Sequence, residues 1–187
     1  MRLLFAAGLM ALAAACSPAV PAGPTAEDIA TESKKLTDYL NAEFEEELAM
    51  NPMLLTQMGR KELYDQLGDF SEADVSKQLE WRRESVAGMK AAIDPAKLNE
   101  DSKTSFDIWA LSLDMEEKGA KFRRSPYVFV KDGPHVFLPN FMINFHEVSE
   151  KSDMDAYVAR LGEVARVMDQ AIELAKLAAA EGNRAPR

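Results

Sequence analysis

The sequence has few of the side chains that build disulfides, metal centres and basic surfaces. Its 187 residues include one cysteine and two histidines, and the formal net charge is −9 at pH 7. One cysteine cannot form a disulfide within the chain, so we expect packing alone to hold the fold together. The negative charge disfavours binding to nucleic acid and to anionic lipid headgroups, because both carry negative charge themselves.

The sequence motifs of several common enzyme classes are also missing. The chain has no Gly-rich nucleotide-binding loop, no Gly-x-Ser-x-Gly elbow and no internal repeat. No stretch brings together a nucleophile, a base and a group that orients the base. We therefore assign no catalytic, cofactor-binding or metal-binding residue from the sequence, and we expect no cofactor in this chain.

The single cysteine, Cys16, has an informative position. It follows Arg2, an uncharged run rich in Leu and Ala, and three alanines at 13–15. The run is too short to span a bilayer, and it resembles a bacterial lipoprotein signal in which the cysteine is lipidated. Ordinary signal cleavage, which would leave Cys16 as a free thiol, is the alternative. We predict an exported protein anchored through lipid on Cys16, and Ser17 favours the outer membrane, facing the periplasm.

Composition divides the chain into three parts. Residues 1–15 are the predicted signal peptide, and residues 16–24 form a tether in which three prolines exclude a helix. Residues 25–187 are the predicted helical domain, and this length suffices for one domain with its own core.

Apolar periodicity predicts four long amphipathic helices in that domain. They cover about residues 25–50, 71–93, 99–122 and 152–180, and the third begins at either Asn99 or Asp101. Thr25, Ser71 and Ser152 each precede an aspartate by three residues, the spacing of a capping box. Arg82 interrupts the apolar stripe of the second helix, and we expect it to snorkel at an edge. The predicted inner face of the fourth helix consists of Tyr157, Leu161, Val164, Met168 and Ile172.

The helical period is lost between about residues 122 and 150, where aromatic residues are concentrated. Residues 127–130 and 135–138 are short apolar runs separated by Lys-Asp-Gly-Pro, which predicts an aromatic-rich loop or a short β-hairpin. The prolines at 134 and 139 would confine the second arm to an edge. The predicted fold is therefore an all-α bundle of about four long helices with one such loop or hairpin.

The two histidines are weak candidates for metal ligands. His135 and His146 are eleven residues apart, and neither belongs to a His-Glu-x-x-His motif. Neither has a Glu three residues before it, as a di-iron helical bundle would require. A hydrogen-bonded structural histidine is the preferred interpretation of each.

The charged residues are interpreted mainly as solvated surface. The acidic groups are Glu43, Glu45, Glu46 and Glu47 in the first helix and Asp114, Glu116 and Glu117 in the third. The basic pairs Arg82-Arg83 and Arg123-Arg124 could contact a substrate carboxylate. Neutralising the neighbouring acidic runs is the preferred role for them.

Several segments taken together resemble a known bacterial family. They are Tyr39–Leu48 followed by Asn51-Pro52, Leu79–Arg83, Lys121–Arg124, Tyr127–Phe129, Gly133–His135, Leu138–Phe141, Asn144–His146 and Gly182–Arg187. In order and spacing this series is similar to the N-terminal portion of the family called domain of unknown function 885. The resemblance covers residues 31–187, although no single segment is a specific chemical motif.

The resemblance implies a function that this sequence does not carry by itself. Members of the family are exported, often as lipoproteins, and are much longer than this chain. Their C-terminal part has a His-Glu-x-x-Pro-Gly-His-His-like motif, which implies a helical zinc peptidase acting on peptides. No stretch here matches that motif. The resemblance therefore implies an N-terminal part whose partner is the absent C-terminal half.

Two alternatives remain open at this stage. One is a free-standing helical envelope lipoprotein that serves as a binding or structural module. The other is a metal protein that holds its ion through carboxylates. The sequence does not identify a substrate, an oligomeric state or a membrane leaflet.

Overall fold

The computed structural model describes residues 23–184, and this part of the chain is largely helical. It forms six α-helices and one 3₁₀ turn at Pro95–Lys97, and no strand occurs within it. The helices are α1 (Ala26–Ala49), α2 (Pro52–Gln57), α3 (Glu72–Ala92), α4 (Glu100–Ala120), α5 (Pro134–Asn144) and α6 (Lys151–Ala180). The predicted all-α class is confirmed. Among these helices, none is both long enough and apolar enough to cross a bilayer.

Side-chain caps determine where three of the long helices begin. The Thr25 hydroxyl accepts a hydrogen bond from the Asp28 N–H at 3.1 Å, and the Asp28 carboxylate accepts one from the Thr25 N–H at 2.9 Å. Ser71 accepts from the Asp74 N–H in the same way, and Asn99 caps α4. These bonds satisfy amide groups that have no partner inside the first helical turn. The predicted starts of α1 and α3 and the earlier of the two predicted for α4 are therefore confirmed. Helix α6 is capped by Glu150 with Asp153 instead of by Ser152 with Asp155.

Helices α1, α3 and α4 pack against one another and form the first part of the core. Its buried residues are Leu36, Met89, Ile93, Leu98 and Phe106. The Tyr39 hydroxyl reaches across from α1 and donates a 2.8 Å hydrogen bond to the Ser85 carbonyl on α3. A Cβ at Gly88 would lie 2.6 Å from that hydroxyl oxygen, so glycine is required for the close approach.

The second part of the core lies between α5, α6 and the connector that joins α2 to α3. Its buried residues are Leu67, Leu138, Phe141, Met142 and Val167. Helix α6 packs mainly on α5 and makes at most weak contact with α1, α3 and α4. The four long helices are present, but they do not form the single bundle that the sequence predicted.

The inner face of α6 agrees with the prediction in part. Tyr157, Val164 and Met168 pack against the second part of the core as expected, whereas Leu161 and Ile172 are exposed. The buried residues Arg160, Val167 and Ala171 each precede a predicted position by one residue, so the face is turned, but by less than the angle of about 100° that separates neighbouring residues of a helix. The prediction counted only apolar side chains as inward-facing, and the actual face is centred on a buried arginine.

The β-hairpin predicted within residues 122–150 is wrong. Residues 134–144 form helix α5 instead, and residues 121–132 make turns without strand pairing. Pro134 occupies the first turn of α5, where its fixed φ angle suits a helix and its missing N–H costs nothing. Leu138 and Phe141 are three residues apart on one side of α5, so helical geometry buries both in the second part of the core.

Candidate functional site

Arg82 is the centre of the most elaborate polar arrangement in the first part of the core. It lies in the middle of α3, and its side chain is only 9% exposed. Its Nη2 donates to Glu47 on α1 at 2.6 Å, and its Nε donates to Glu116 on α4 at 3.2 Å. The guanidinium also stacks on Trp81 and Trp109, at 4.7 and 4.5 Å from the ring centroids. One buried cation therefore joins three helices.

The expectation that Arg82 snorkels at an edge is wrong. A guanidinium can leave water when carboxylates and aromatic faces replace its hydration, and here both are present. Glu47 and Glu116 come from other helices, and Trp109 is also on another helix. The sequence pattern of α3 alone could not reveal these partners.

A cavity of about 300 Å³ opens beside Arg82. Its apolar walls are formed by Met50, Val75, Leu79, Trp81 and Ala120, and its polar lining by Glu47, Gln78, Arg82, Glu116 and Arg123. A second cavity, of about 310 Å³, shares Met50, Val75 and Gln78 with the first. The two cavities are therefore adjacent, and we call them together the Arg82 cleft. The charged end is the first cavity around Arg82, and the apolar end is the wall of Met50, Val75, Leu67 and Phe70, with Asp69 and Asp74 at its border.

The lining of the first cavity has two carboxylates, Glu47 and Glu116, and two guanidinium groups, Arg82 and Arg123. Arg82 offsets one of the two carboxylate charges. Glu46 is not part of the lining, but its carboxylate accepts a 3.2 Å hydrogen bond from the indole of Trp81, which does line the cavity. The cleft therefore presents carboxylate oxygens beside an apolar wall, a chemistry suited to binding rather than to nucleophilic catalysis.

The second cation of the lining, Arg123, is offset by a carboxylate that does not line the Arg82 cleft. Nε of Arg123 lies 3.5 Å from the Glu72 carboxylate. Arg124 also pairs with Glu72, at 2.5 Å, and with Glu181. The hydrogen bond from Arg124 holds the pKa of Glu72 below its ordinary value. These acids are remote in sequence and belong to neither predicted acidic run. The first basic pair, Arg82-Arg83, is the one that binds the predicted runs, through Glu47, Glu116 and Glu117.

A second buried arginine, Arg160, lies in the other part of the core. It is fully buried on α6 and has only uncharged hydrogen-bond acceptors among the described residues. It donates to the Gln66 carbonyl at 2.9 Å, to His146 Nδ1 at 2.9 Å and to the Thr56 hydroxyl at 2.6 Å. Burial lowers the pKa of Arg160 to about 10, so the group stays charged at neutral pH.

His146 is a structural histidine, as the sequence predicted. Its Nδ1 accepts from Arg160, and its Nε2 donates to the Asp153 carbonyl at 2.9 Å. Its ring stacks on Tyr64, with the centroids 4.1 Å apart. Burial lowers the pKa of His146, which favours the neutral imidazole that these bonds require. Lys61, whose Nζ is 2.8 Å from Asp153, completes the cluster.

The other sequence candidates are not brought together. His135 is exposed, with its ring centroid 5.9 Å from that of Phe129, so the expected hydrogen-bonded role is not observed for it. Arg83 pairs with Glu80 and Glu117 at the surface. Among residues 23–184, no group of three His, Cys, Asp or Glu side chains is placed to hold a metal ion.

Cys16, the predicted lipidation site, lies outside the described residues, as do the predicted signal peptide and most of the predicted tether. Sequence reasoning also missed Arg160 and the pairing of Trp109 with Ser85, whose hydroxyl accepts from the indole at 3.0 Å. A usable signal for Arg160 was its spacing from Asp153, Val164 and Val167, which places all four on one helical face.

Two helices expose a second apolar face. Ile108, Leu111 and Met115 on α4 are each more than half exposed, and they follow the helical period. Met154, Val158 and Leu161 on α6 form a similar exposed row. We call these rows the α4 stripe and the α6 stripe. A helix that is apolar on two sides normally has a partner on each side.

Comparison with known proteins identifies one family. A family model described as "Bacterial protein of unknown function (DUF885)" matches residues 52–187, which is most of the chain. The match begins at the first residue of α2 and includes α3 to α6. No curated protein matches the chain, and no solved structure does.

Proposed function

The chain belongs to the DUF885 family of bacterial proteins of unknown function, and on this premise we propose that it is a helical, non-catalytic docking region. It packs against a further polypeptide region in an exported, lipid-anchored protein that resembles zinc peptidases. The further region supplies the zinc and the general base, and the helices described above form one wall of the site for a peptide substrate.

The observation that carries this proposal is the pair of exposed stripes on α4 and α6. Large exposed apolar rows on a water-soluble surface mark places where another surface packs. Leaving such side chains in water forgoes about 1.5–3 kcal/mol for each one that could be fully buried. Phe129 and Phe145 lie between the two helices in sequence, and each is about 40% exposed. The aromatic-rich segment therefore also leaves apolar surface in contact with water.

The described residues do not fit zinc themselves. A catalytic zinc site usually needs three protein ligands from His, Asp, Glu or Cys. His146 is fully engaged with Arg160 and Asp153, and His135 has no carboxylate or thiol cluster beside it in residues 23–184. In this proposal the metal is therefore held entirely by the further region.

One observation favours the alternative of a free-standing envelope module. Within residues 23–184, every buried side-chain nitrogen or oxygen has a hydrogen-bond partner, and buried hydrophobic residues form two core clusters. A region with a complete interior could fold without a partner. The experiment below separates the two functions.

The test mixes the purified chain with the C-terminal region of a longer family member that has the His-Glu-x-x-Pro-Gly-His-His-like motif. We expect a stable complex in which hydrogen exchange slows across the α4 and α6 stripes. The double variant Ile108→Glu with Leu111→Glu should abolish the complex, because it places charges in the docking surface. Ala87→Glu with Ala91→Glu adds the same charges at exposed positions of α3, which carries neither stripe, and should leave it intact.

Zinc-dependent hydrolysis of peptides by the reconstituted complex provides the second readout. Activity should require both regions and should be lost with the stripe variant. The free-standing module would instead be supported if the chain stays monomeric, does not bind the C-terminal region and unfolds in one cooperative transition.

A further inference from the structure

The Arg82 cleft has features of a binding site that the proposed docking function does not use. Its larger wall is apolar, and one end holds a side chain, Arg82, that is more than nine-tenths buried. The cavity of about 300 Å³ is at the lower end of the range for small-molecule sites, about 300–1,000 Å³. Neither exposed stripe contributes to its lining.

The charges at the polar end determine whether a bound ligand should be a cation or an anion. Glu47 and Glu116 each bind Arg82 through one carboxylate oxygen, and their side chains are 29% and 43% exposed. The lining also contains Arg123, but that cation is paired with Glu72, so the two carboxylates against Arg82 leave a net negative charge at this end. The nearby Glu46 carboxylate and the net charge of −9 on the whole chain add to it.

Neither arginine of the lining is available to bind an anionic ligand. The guanidinium of Arg82 already makes two ion pairs and contacts two indole faces, and Arg123 is paired with Glu72. An anionic ligand would therefore have to displace an existing ion pair. A cation can instead use the remaining oxygens of Glu47 and Glu116.

The apolar end determines the rest of the ligand. Met50, Val75 and Leu79 line the first cavity, and Met50 and Val75 continue into the second with Leu67 and Phe70. Burying methylene groups along this wall contributes about 0.8 kcal/mol each. We propose that the Arg82 cleft binds an aliphatic amine, with its ammonium group at Glu47 and Glu116 and its hydrocarbon chain along α3.

Three probes of equal chain length test the sign of the charge. Isothermal titration calorimetry with the full chain would compare octylamine, octanoate and octanol below their aggregation concentrations. We expect octylamine to bind about tenfold more tightly than octanoate, with octanol between them. Quenching or enhancement of tryptophan fluorescence should accompany binding, because Trp81 lines the cavity.

Neighbouring variants place the binding in the cleft. Glu116→Gln should weaken octylamine binding about threefold to fivefold, whereas Glu117→Gln, at the surface beside it, should not. Gly119→Leu should abolish binding of all three probes, since it projects into the cavity. A Cβ there meets no atom within 4 Å, and glycine is a poor helix former, so this variant should fold.

Four results would overturn the proposal. They are octanoate binding as tightly as octylamine, an absence of saturable octylamine binding, equal effects of Glu116→Gln and Glu117→Gln, and full binding by Gly119→Leu. None of these results depends on the C-terminal region, so failure here leaves the docking function untouched.

Discussion

At the residue scale, two buried arginines have different kinds of hydrogen-bond partner. Arg82 is paired with carboxylates from two other helices, whereas Arg160 is surrounded by neutral acceptors and aromatic rings. A buried charge is tolerated when its hydrogen bonds are complete, and removing one partner is more costly than removing an exposed pair. The two residues therefore stabilise specific packing arrangements rather than serving as surface charges.

Arg82→Leu should lower the free energy of unfolding by roughly 2 kcal/mol. The substitution removes the cation that holds Glu47 and Glu116 near each other, and it removes the contacts of the guanidinium with two indole rings. Urea denaturation followed by fluorescence would measure the change. Arg83→Leu, which removes an adjacent exposed arginine, is the control and should change stability little. Equal losses in the two variants would contradict the bridging role.

His146 gives the protein a predicted sensitivity to acid. Arg160 can only donate to Nδ1, and a carbonyl can only accept from Nε2, so both bonds require neutral imidazole. Protonation would place a second cation against Arg160, with Lys61 also nearby. Asp153 opposes this effect, but burial is the dominant influence on the lowered pKa.

The free energy of unfolding should therefore fall as the pH drops below about 6.5, the ordinary pKa of histidine. In that range the unfolded chain binds a proton that the folded chain does not. Denaturation between pH 7.5 and 5.5 would measure the slope. His146→Gln should flatten it, and the exposed His135→Gln should leave it unchanged. A slope that survives in His146→Gln would assign the dependence to other groups.

At the element scale, α5 is the feature that departs most from its sequence pattern. It contains Pro139 in its interior, where the missing N–H removes one hydrogen bond of the helix. The helix persists because Leu138, Phe141 and Met142 are buried against α6. Tertiary burial therefore outweighs the local preference against a helix.

Pro139→Ala should stabilise the protein by about 1–2 kcal/mol, since it restores a backbone hydrogen bond at an exposed position. Thermal unfolding followed by circular dichroism would measure the gain. Pro134→Ala is the contrasting variant, because a proline in the first turn favours the helix; it should not stabilise. Stabilisation by both variants would mean that a general proline effect, rather than helix position, is responsible.

At the scale of the whole molecule, the described residues divide into two packing groups rather than one bundle. Helices α1, α3 and α4 form one group, and α5, α6 and the connector form the other. The ion pairs of Arg124 with Glu72 and Glu181 join the start of α3 to the region after α6. This arrangement leaves a second apolar face on α4 and on α6, which the docking proposal uses.

The membrane anchor is a prediction about the complete chain. Growth with radiolabelled palmitate should label the wild-type protein, and fractionation should place it with the outer membrane. Cys16→Ser should lose the label, because Cys16 is the one cysteine of the sequence and the variant has no thiol to lipidate. Labelling that persists in this variant would contradict lipidation at Cys16.

The sequence by itself determined the helical class and the starts of α1, α3 and α4. Local hydrogen bonds, such as those of Thr25 and Ser71, need only neighbouring residues. It also identified His146 as structural, because neither histidine has the spacing of a metal ligand, and it predicted that Arg82 and Arg83 neutralise the acidic runs.

Only the tertiary structure decided the surroundings of Arg82 and Arg160, the inner face of α6 and the helical state of residues 134–144. Each depends on groups that lie far apart in the chain, such as Arg160 with Thr56 or Arg82 with Glu116. The free energy of burying a charge or a proline-containing helix is set by those distant partners. Periodicity along a single segment cannot contain that information.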